Sequence, residues 1–218
     1  MSSNRRLWLK QSSLALAGLT LAPKTITALG ETFTSKPPGD LIRLTSNENP
    51  YGPSPMARKA MADAIVRSNR YPWDDTTKLR EKIAGRFNLT KEHVIIGAGS
   101  SELLGLAGQY VARDKSHFVA PDNTFRIWRR AALDSGATMT RTDLTTDKKF
   151  DLAAMEKAVT TNTKLLYVCN PNNPTGTIVD AAALKNFVAE MSDKYMLAID
   201  EAYLEYTNQP SMADFVSS

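Results

Sequence analysis

A chain of 218 residues is long enough to bury a sizeable core as one large domain, and its composition is that of an ordinary globular protein. Its formal charge of +4 is concentrated at the start, where residues 1–30 hold Arg5, Arg6, Lys10 and Lys24 and no acid; the balanced remainder excludes a body with net basic pull on nucleic acid or anionic membrane. The single cysteine, Cys169, excludes an intrachain disulfide framework and, inside an apolar run, reads as a buried, inert thiol.

The first thirty residues read as an address. Charged "NRRLWLKQ" (4–11) precedes apolar "SLALAGLTLA" (13–22), which is too short to span a bilayer comfortably, and small residues follow in "TALG" (27–30). That is the build of a signal peptide. Arg5-Arg6 followed by Leu7, Trp8, Leu9 and Lys10 resembles the twin-arginine export motif, with Asn4 and Trp8 departing from its commonest form. The expectation is export to the periplasm by that route. An amphipathic N-terminal helix or a frayed tail, on a cytoplasmic protein, is the alternative. No membrane span is expected after the leader, and residues 31–43, broken by "SKPPGD", read as a linker.

From there the elements follow in order. "SNENPYGPSP" (46–55) is a loop, and 55–68 is a helix with Ala57, Ala60, Met61, Ala64 and Ile65 on one face. "NRYPWDD" (69–75) breaks it, and 76–87 is the next helix. "HVIIGAG" (93–99) reads as a strand running into a glycine loop, and 100–112 as a helix. Strands at 117–121, 137–144, 163–168 and 195–200 then alternate with helices at 124–136, 151–160 and 180–193. In the last helix Leu184, Phe187, Val188 and Met191 share a face. The alternation predicts an α/β fold, a largely parallel sheet with crossover helices, over residues 44–218.

Three ligand-like features fall at carboxyl ends of predicted strands, where open α/β sheets bind ligands. "GAGSSE" (97–102) places a glycine turn before a helix starting at Ser100 or Ser101, whose free N–H groups and dipole favour a phosphate. Glu102 breaks the G-x-G-x-x-G spacing of a dinucleotide site, and by itself the stretch reads as a serine N-cap. "NPNNPTG" (170–176) lies between strand and helix, where a plain turn is the bland reading. Asp200 ends an apolar strand in "DEAY" (200–203); such an acid usually caps or pairs. No metal-ligand set is assigned.

Together, and in this order, these motifs resemble the fold-type I, pyridoxal-phosphate-dependent aminotransferases (class I/II), and among them the histidinol-phosphate aminotransferase branch. The likeness runs from about Leu44 to the end through "NENPYGP" (47–53), "NRYP" (69–72), "GAGSSELL" (97–104), "DNTF" (122–125), "NPNNPTG" and "DEAY". It implies the large domain of that fold, in incomplete form, and pyridoxal 5'-phosphate as cofactor. Asp200 is then expected at the pyridine nitrogen, Asn173 and Tyr203 at the ring's 3-oxygen, Phe125 against the ring face, and Ser100 and Ser101 around the phosphate. Tyr71 is expected to reach the phosphate of a neighbouring subunit, implying a homodimer at full length, and Tyr51 to lie near the substrate entrance. The implied activity moves an amino group between an amino acid or amino-alcohol phosphate and a 2-oxo acid.

The sequence departs from the resemblance in one respect. The family's lysine, which captures the cofactor covalently, follows the Asp-x-x-Tyr element by roughly thirty residues. Here Ser218 lies 18 residues beyond Asp200, and residues 201–218 contain no lysine. The expectation is a truncated chain, inactive as written. The rival reading is a non-catalytic remnant that binds cofactor, phosphate or a partner. A nucleotide-binding protein using "GAGSS" leaves Asp200 and "NPNNPTG" unexplained.

Overall fold

The computed structural model describes residues 44–217, which fall into two units divided between Arg70 and Tyr71. The leader expected at 1–30 and the linker expected at 31–43 lie outside the described residues. In the first unit, Asn49 organises the loop: its Oδ1 accepts from the Tyr51 N–H (3.0 Å) and its Nδ2 donates to the Gly52 carbonyl (3.2 Å). The Ser54 hydroxyl then caps helix α1 (Pro55–Ala64) by accepting from the Ala57 N–H, with Pro55 in the first turn where no N–H is needed. The helix is shorter than predicted, because Ile65–Arg67 tighten into a 3₁₀ turn.

In the second unit, α2 (Trp73–Arg86) starts three residues earlier than expected. Pro72 sits at its N-cap, and Asp74 and Asp75 place negative charge in the first turn, where the helix dipole favours it. The strand predicted in "HVIIGAG" does not form. Lys91–His93 make a 3₁₀ turn and residues 94–97 are irregular, with Val94 buried but Ile95 77% and Ile96 40% exposed. A strand exists by pairing, and no ladder partner is available to this apolar run among the described residues. Helix α3 (Ser100–Ala112) follows, and beyond it the predicted alternation holds.

Strands β1 (His117–Pro121), β2 (Thr138–Thr142), β3 (Thr163–Cys169) and β4 (Met196–Asp200) form one sheet, all parallel, in the order β2-β1-β3-β4. Helices α4 (Ile127–Asp134), α5 (Leu152–Lys157) and α6 (Ala181–Met191) are the crossovers. Every residue of β1 is buried, and β3 is buried except for Lys164, as expected for a sheet covered on both faces. Register puts Phe118, Leu165, Tyr167, Cys169 and Asp200 on one face. Trp128 of α4 packs there, 5.3 Å from the Phe118 ring and 4.9 Å from the Tyr167 ring between centroids. The α6 residues Leu184, Phe187, Val188 and Met191 are all buried, as their spacing predicts. No helix among the described residues is long and apolar enough to cross a membrane.

The topology places the site. From β1 the chain crosses to β2 on one side, and from β3 to β4 on the other, so the strand order reverses between β1 and β3. The loops leaving these two strands diverge and open a crevice at their carboxyl ends.

Candidate functional site

A cleft of about 370 Å³ occupies that crevice. The loop after β1 supplies Asp122, Asn123, Thr124, Phe125 and Arg126, the start of α4 supplies Ile127, and the loop after β3 supplies Asn173 and Pro174. The β1 loop is clamped from below by the buried Arg129, whose Nη1 donates to the Pro121 carbonyl (2.9 Å) and whose Nη2 reaches Asp122 Oδ1 (3.4 Å).

The asparagines of "NPNNPTG" divide the work. Asn170 Oδ1 accepts from the Val179 N–H (2.9 Å), which ties the turn to the approach of α6. Asn172 is 3% exposed and bolts the two loops together. Its Oδ1 accepts from the Thr124 hydroxyl (2.8 Å), and its Nδ2 donates to the Asn123 carbonyl (3.0 Å) and to Thr175 Oγ1 (2.8 Å). Asn173 is left half-buried at the cleft, with its Nδ2 donating to the Tyr203 hydroxyl (3.4 Å). The structure therefore places Phe125 and Asn173 in the cleft wall and Tyr203 against the Asn173 amide.

Asp200 ends β4 buried, opposite Cys169 in register. Its Oδ2 accepts from the Tyr167 hydroxyl (2.8 Å) and its Oδ1 from the Ala202 N–H (3.2 Å). Burial, reinforced by Cys169 and the Asp200 carboxylate, raises the Tyr167 phenol far above its ordinary range, so it stays a donor. Burial, with Asp200 adding to it, pushes the Cys169 thiol up to about 11, and its Sγ faces the Pro171 carbonyl at 3.3 Å. This is the inert thiol expected from the sequence.

The remaining candidates sit each within its own unit. Ser100 and Ser101 are exposed in the first turn of α3 and are not among the residues lining the cleft. The N-cap is Gly99 rather than a serine, at φ 78, ψ 170, a conformation essentially reserved for glycine. Glu102 reaches back to accept from the Ala98 N–H, which holds the glycine turn closed. Tyr71 is 82% exposed beside Trp73 (5.6 Å between ring centroids), and Tyr51, in the first unit, is 91% exposed. Among the described residues, no group of three or more His, Cys, Asp or Glu is arranged to hold a metal.

The model of the family described as aminotransferase class I and II matches residues 39–218. The chain belongs to that family. It is 36% identical to a histidinol-phosphate aminotransferase of Moorella thermoacetica over 214 residues, which cover 94% of this chain and 55% of the relative. It is 38% identical to an aromatic amino acid aminotransferase of Thermobifida fusca over 180 residues, covering 83% and 50%. Among solved structures, one provisionally named histidinol-phosphate aminotransferase from Erwinia carotovora atroseptica superposes with a TM-score of 0.74 at 32% identity, covering 80% of this chain and 52% of that one. A Sinorhizobium meliloti histidinol-phosphate aminotransferase, solved in complex with pyridoxal-5'-phosphate, shares the fold at a TM-score of 0.68 and 24% identity, covering 73% and 44%. The chain spans about half the length of the curated relatives it matches.

Sequence reasoning missed four residues that hold the cleft loops and Asp200 in place: Tyr167, Asn170, Asn172 and Thr124. Tyr167 reads as one more apolar strand residue. The signal that could have found it is the phenol itself, since a buried tyrosine hydroxyl demands an acceptor.

Proposed function

We infer that the protein carrying this chain is a pyridoxal-phosphate-dependent aminotransferase, and that residues 44–218 supply the half of its active site that holds the cofactor ring. The observation that carries this is the convergence of Asp200, Asn173 and Tyr203 at the carboxyl ends of neighbouring strands β3 and β4. The donor set fits the cofactor. An ionised carboxylate offers about four acceptor sites, and two donors reach Asp200, which leaves it capacity for a ring N–H. Asn173 and Tyr203 offer an amide and a hydroxyl to one oxygen, and Phe125 is a half-buried ring in the cleft wall. Ser100 and Ser101 are exposed in the first turn of α3, a position that suits a phosphate.

When bound, pyridoxal phosphate supplies an electron sink for the pair released as the amino substrate loses a proton from carbon. Asp200 would keep the ring nitrogen protonated. Asn173 and Tyr203 would orient the ring through its 3-oxygen, and Phe125 would cover one face. The amino donor we propose is an amino-alcohol phosphate of the histidinol-phosphate type or an aromatic amino acid, with a 2-oxo acid as acceptor. These are the two activities carried in the names of the relatives above. A homodimer, completed through Tyr71 with Tyr51 near the entrance, and export by the Arg5-Arg6 leader belong to the same proposal.

The test is amino transfer to 2-oxoglutarate from histidinol phosphate, phenylalanine and tyrosine by the protein that carries this chain. Asp200→Asn is expected to lower turnover by several orders of magnitude. A variant retaining most of its activity would show Asp200 to be a structural acid. The alternative reading is a cofactor-binding module without turnover. Borohydride reduction of the protein that carries this chain with pyridoxal phosphate, followed by mass spectrometry, separates the two. A single stoichiometrically labelled lysine together with turnover would exclude the module.

A further inference from the structure

We propose that Tyr167 is a positioning residue for Asp200: its buried hydroxyl fixes the carboxylate so that the remaining acceptor sites meet the nitrogen of a bound pyridine ring. The proposal rests on the cofactor reading above and assigns a residue that the family motifs leave out.

The geometry is specific. Tyr167 faces Ala198 in the β3–β4 register, and Cys169 faces Asp200, so Tyr167 and Asp200 are diagonal neighbours on one sheet face. That diagonal is within reach of a long aromatic side chain and of few others. Small Ala198 directly opposite leaves room for the ring to lean along the strand. The hydroxyl arrives 2.8 Å from Asp200 Oδ2. Tyr167 is fully buried, and Trp128 packs against its ring at 4.9 Å, so the phenol has little freedom to turn away. Oδ1 is held independently by the Ala202 N–H, and the carboxylate is thereby pinned at both oxygens. A carboxylate held this way needs no reorganisation when a ring N–H approaches, and such preorganisation strengthens binding of the ring nitrogen in particular. The sulfur of Cys169, directly opposite Asp200, is turned to the Pro171 carbonyl and offers no comparable donor.

The experiment is equilibrium dialysis of the 218-residue chain with two probes: pyridoxal phosphate, and its carbocyclic analogue with carbon in place of the ring nitrogen. Tyr167→Phe is expected to weaken pyridoxal phosphate about tenfold and the analogue less than about twofold. Trp128→Phe loosens the ring without removing the hydroxyl. It is expected to give a smaller loss with the same dependence on the nitrogen, and it serves if Tyr167→Phe does not fold. Equal losses for both probes would mean that Tyr167 only packs, and no loss for either would overturn the proposal outright. Asp200→Asn is the control for the reading beneath it. If it leaves both affinities unchanged, the cofactor reading itself fails; if it alone is nitrogen-selective, only the role of Tyr167 fails.

Discussion

Asn172→Ala should be far more damaging to stability than Asn173→Ala, although the two residues are adjacent in one motif. Asn172 is buried and makes three side-chain hydrogen bonds, to Thr124, Asn123 and Thr175. Each bond contributes about 1 kcal/mol net, and the orphaned Thr124 hydroxyl adds a desolvation penalty, so the loss should total about 2–4 kcal/mol. For a chain of this size that lowers the melting midpoint by roughly 4–16 °C. Asn173 makes one long bond to Tyr203 at the cleft and is half-exposed, so its truncation should cost less than about 1 kcal/mol. Thermal melts of the two variants and the parent, followed by circular dichroism, decide it. Cofactor dialysis on the same samples should show the reverse order per unit of lost stability, because Asn173 alone faces the cleft. An Asn172→Ala midpoint within a degree or so of the parent would refute the reasoning that this side chain ties the β1 and β3 loops together.

Three further outcomes can be checked, two of them from the structure and one from the sequence of the leader. His117 is buried with Nδ1 against Thr163 Oγ1 (2.7 Å) and Nε2 against Thr140 Oγ1 (2.8 Å), and burial lowers its proton affinity below the ordinary 6.5. The unfolded chain therefore binds the proton first, so stability should be full above pH 6.5 and fall as pH drops through the lowered folded value; denaturant midpoints at pH 7.5 and 5.5 should differ less in His117→Gln. Gly99→Ala forces a side chain into a glycine-only conformation at φ 78, ψ 170, costing about 1–3 kcal/mol and weakening phosphate-dependent cofactor binding at the start of α3, read by melting and dialysis. Lysine at both Arg5 and Arg6 should block export of a leader–reporter fusion through the twin-arginine route, and unchanged export would count against the leader reading.

The strands and crossover helices were legible because their signal is local. "HFVAP" and "TKLLYV" are short apolar runs of the kind a two-sided parallel sheet requires, and both form strands where expected. The face of α6 could be read from spacing alone, and Leu184, Phe187, Val188 and Met191 are buried together. "HVIIGAG" carries the same local signal and is not a strand, because pairing is supplied by a neighbour and not by propensity. The start of α2 at Trp73 was hidden for a related reason: Pro72 and two aspartates read as a breaker until the helix dipole turns them into a beginning.

The candidate site divides along the same line. By itself, the sequence determined which residue types stand at the ends of which elements: amide and turn residues after β3, an acid closing β4, and a tyrosine three residues on. Local pattern suffices for that, since each motif follows its own strand. Only the tertiary structure decided that the order β2-β1-β3-β4 reverses between β1 and β3, so that Phe125 and Asn173, 48 residues apart, share one cleft. It also decided that Asn172 is a bolt while Asn173 faces the opening, and that Tyr167 holds Asp200 across 33 residues of sequence. Those assignments depend on strand register and on which hydrogen-bonding groups are left for one another once water is excluded, and neither quantity exists before the sheet is assembled.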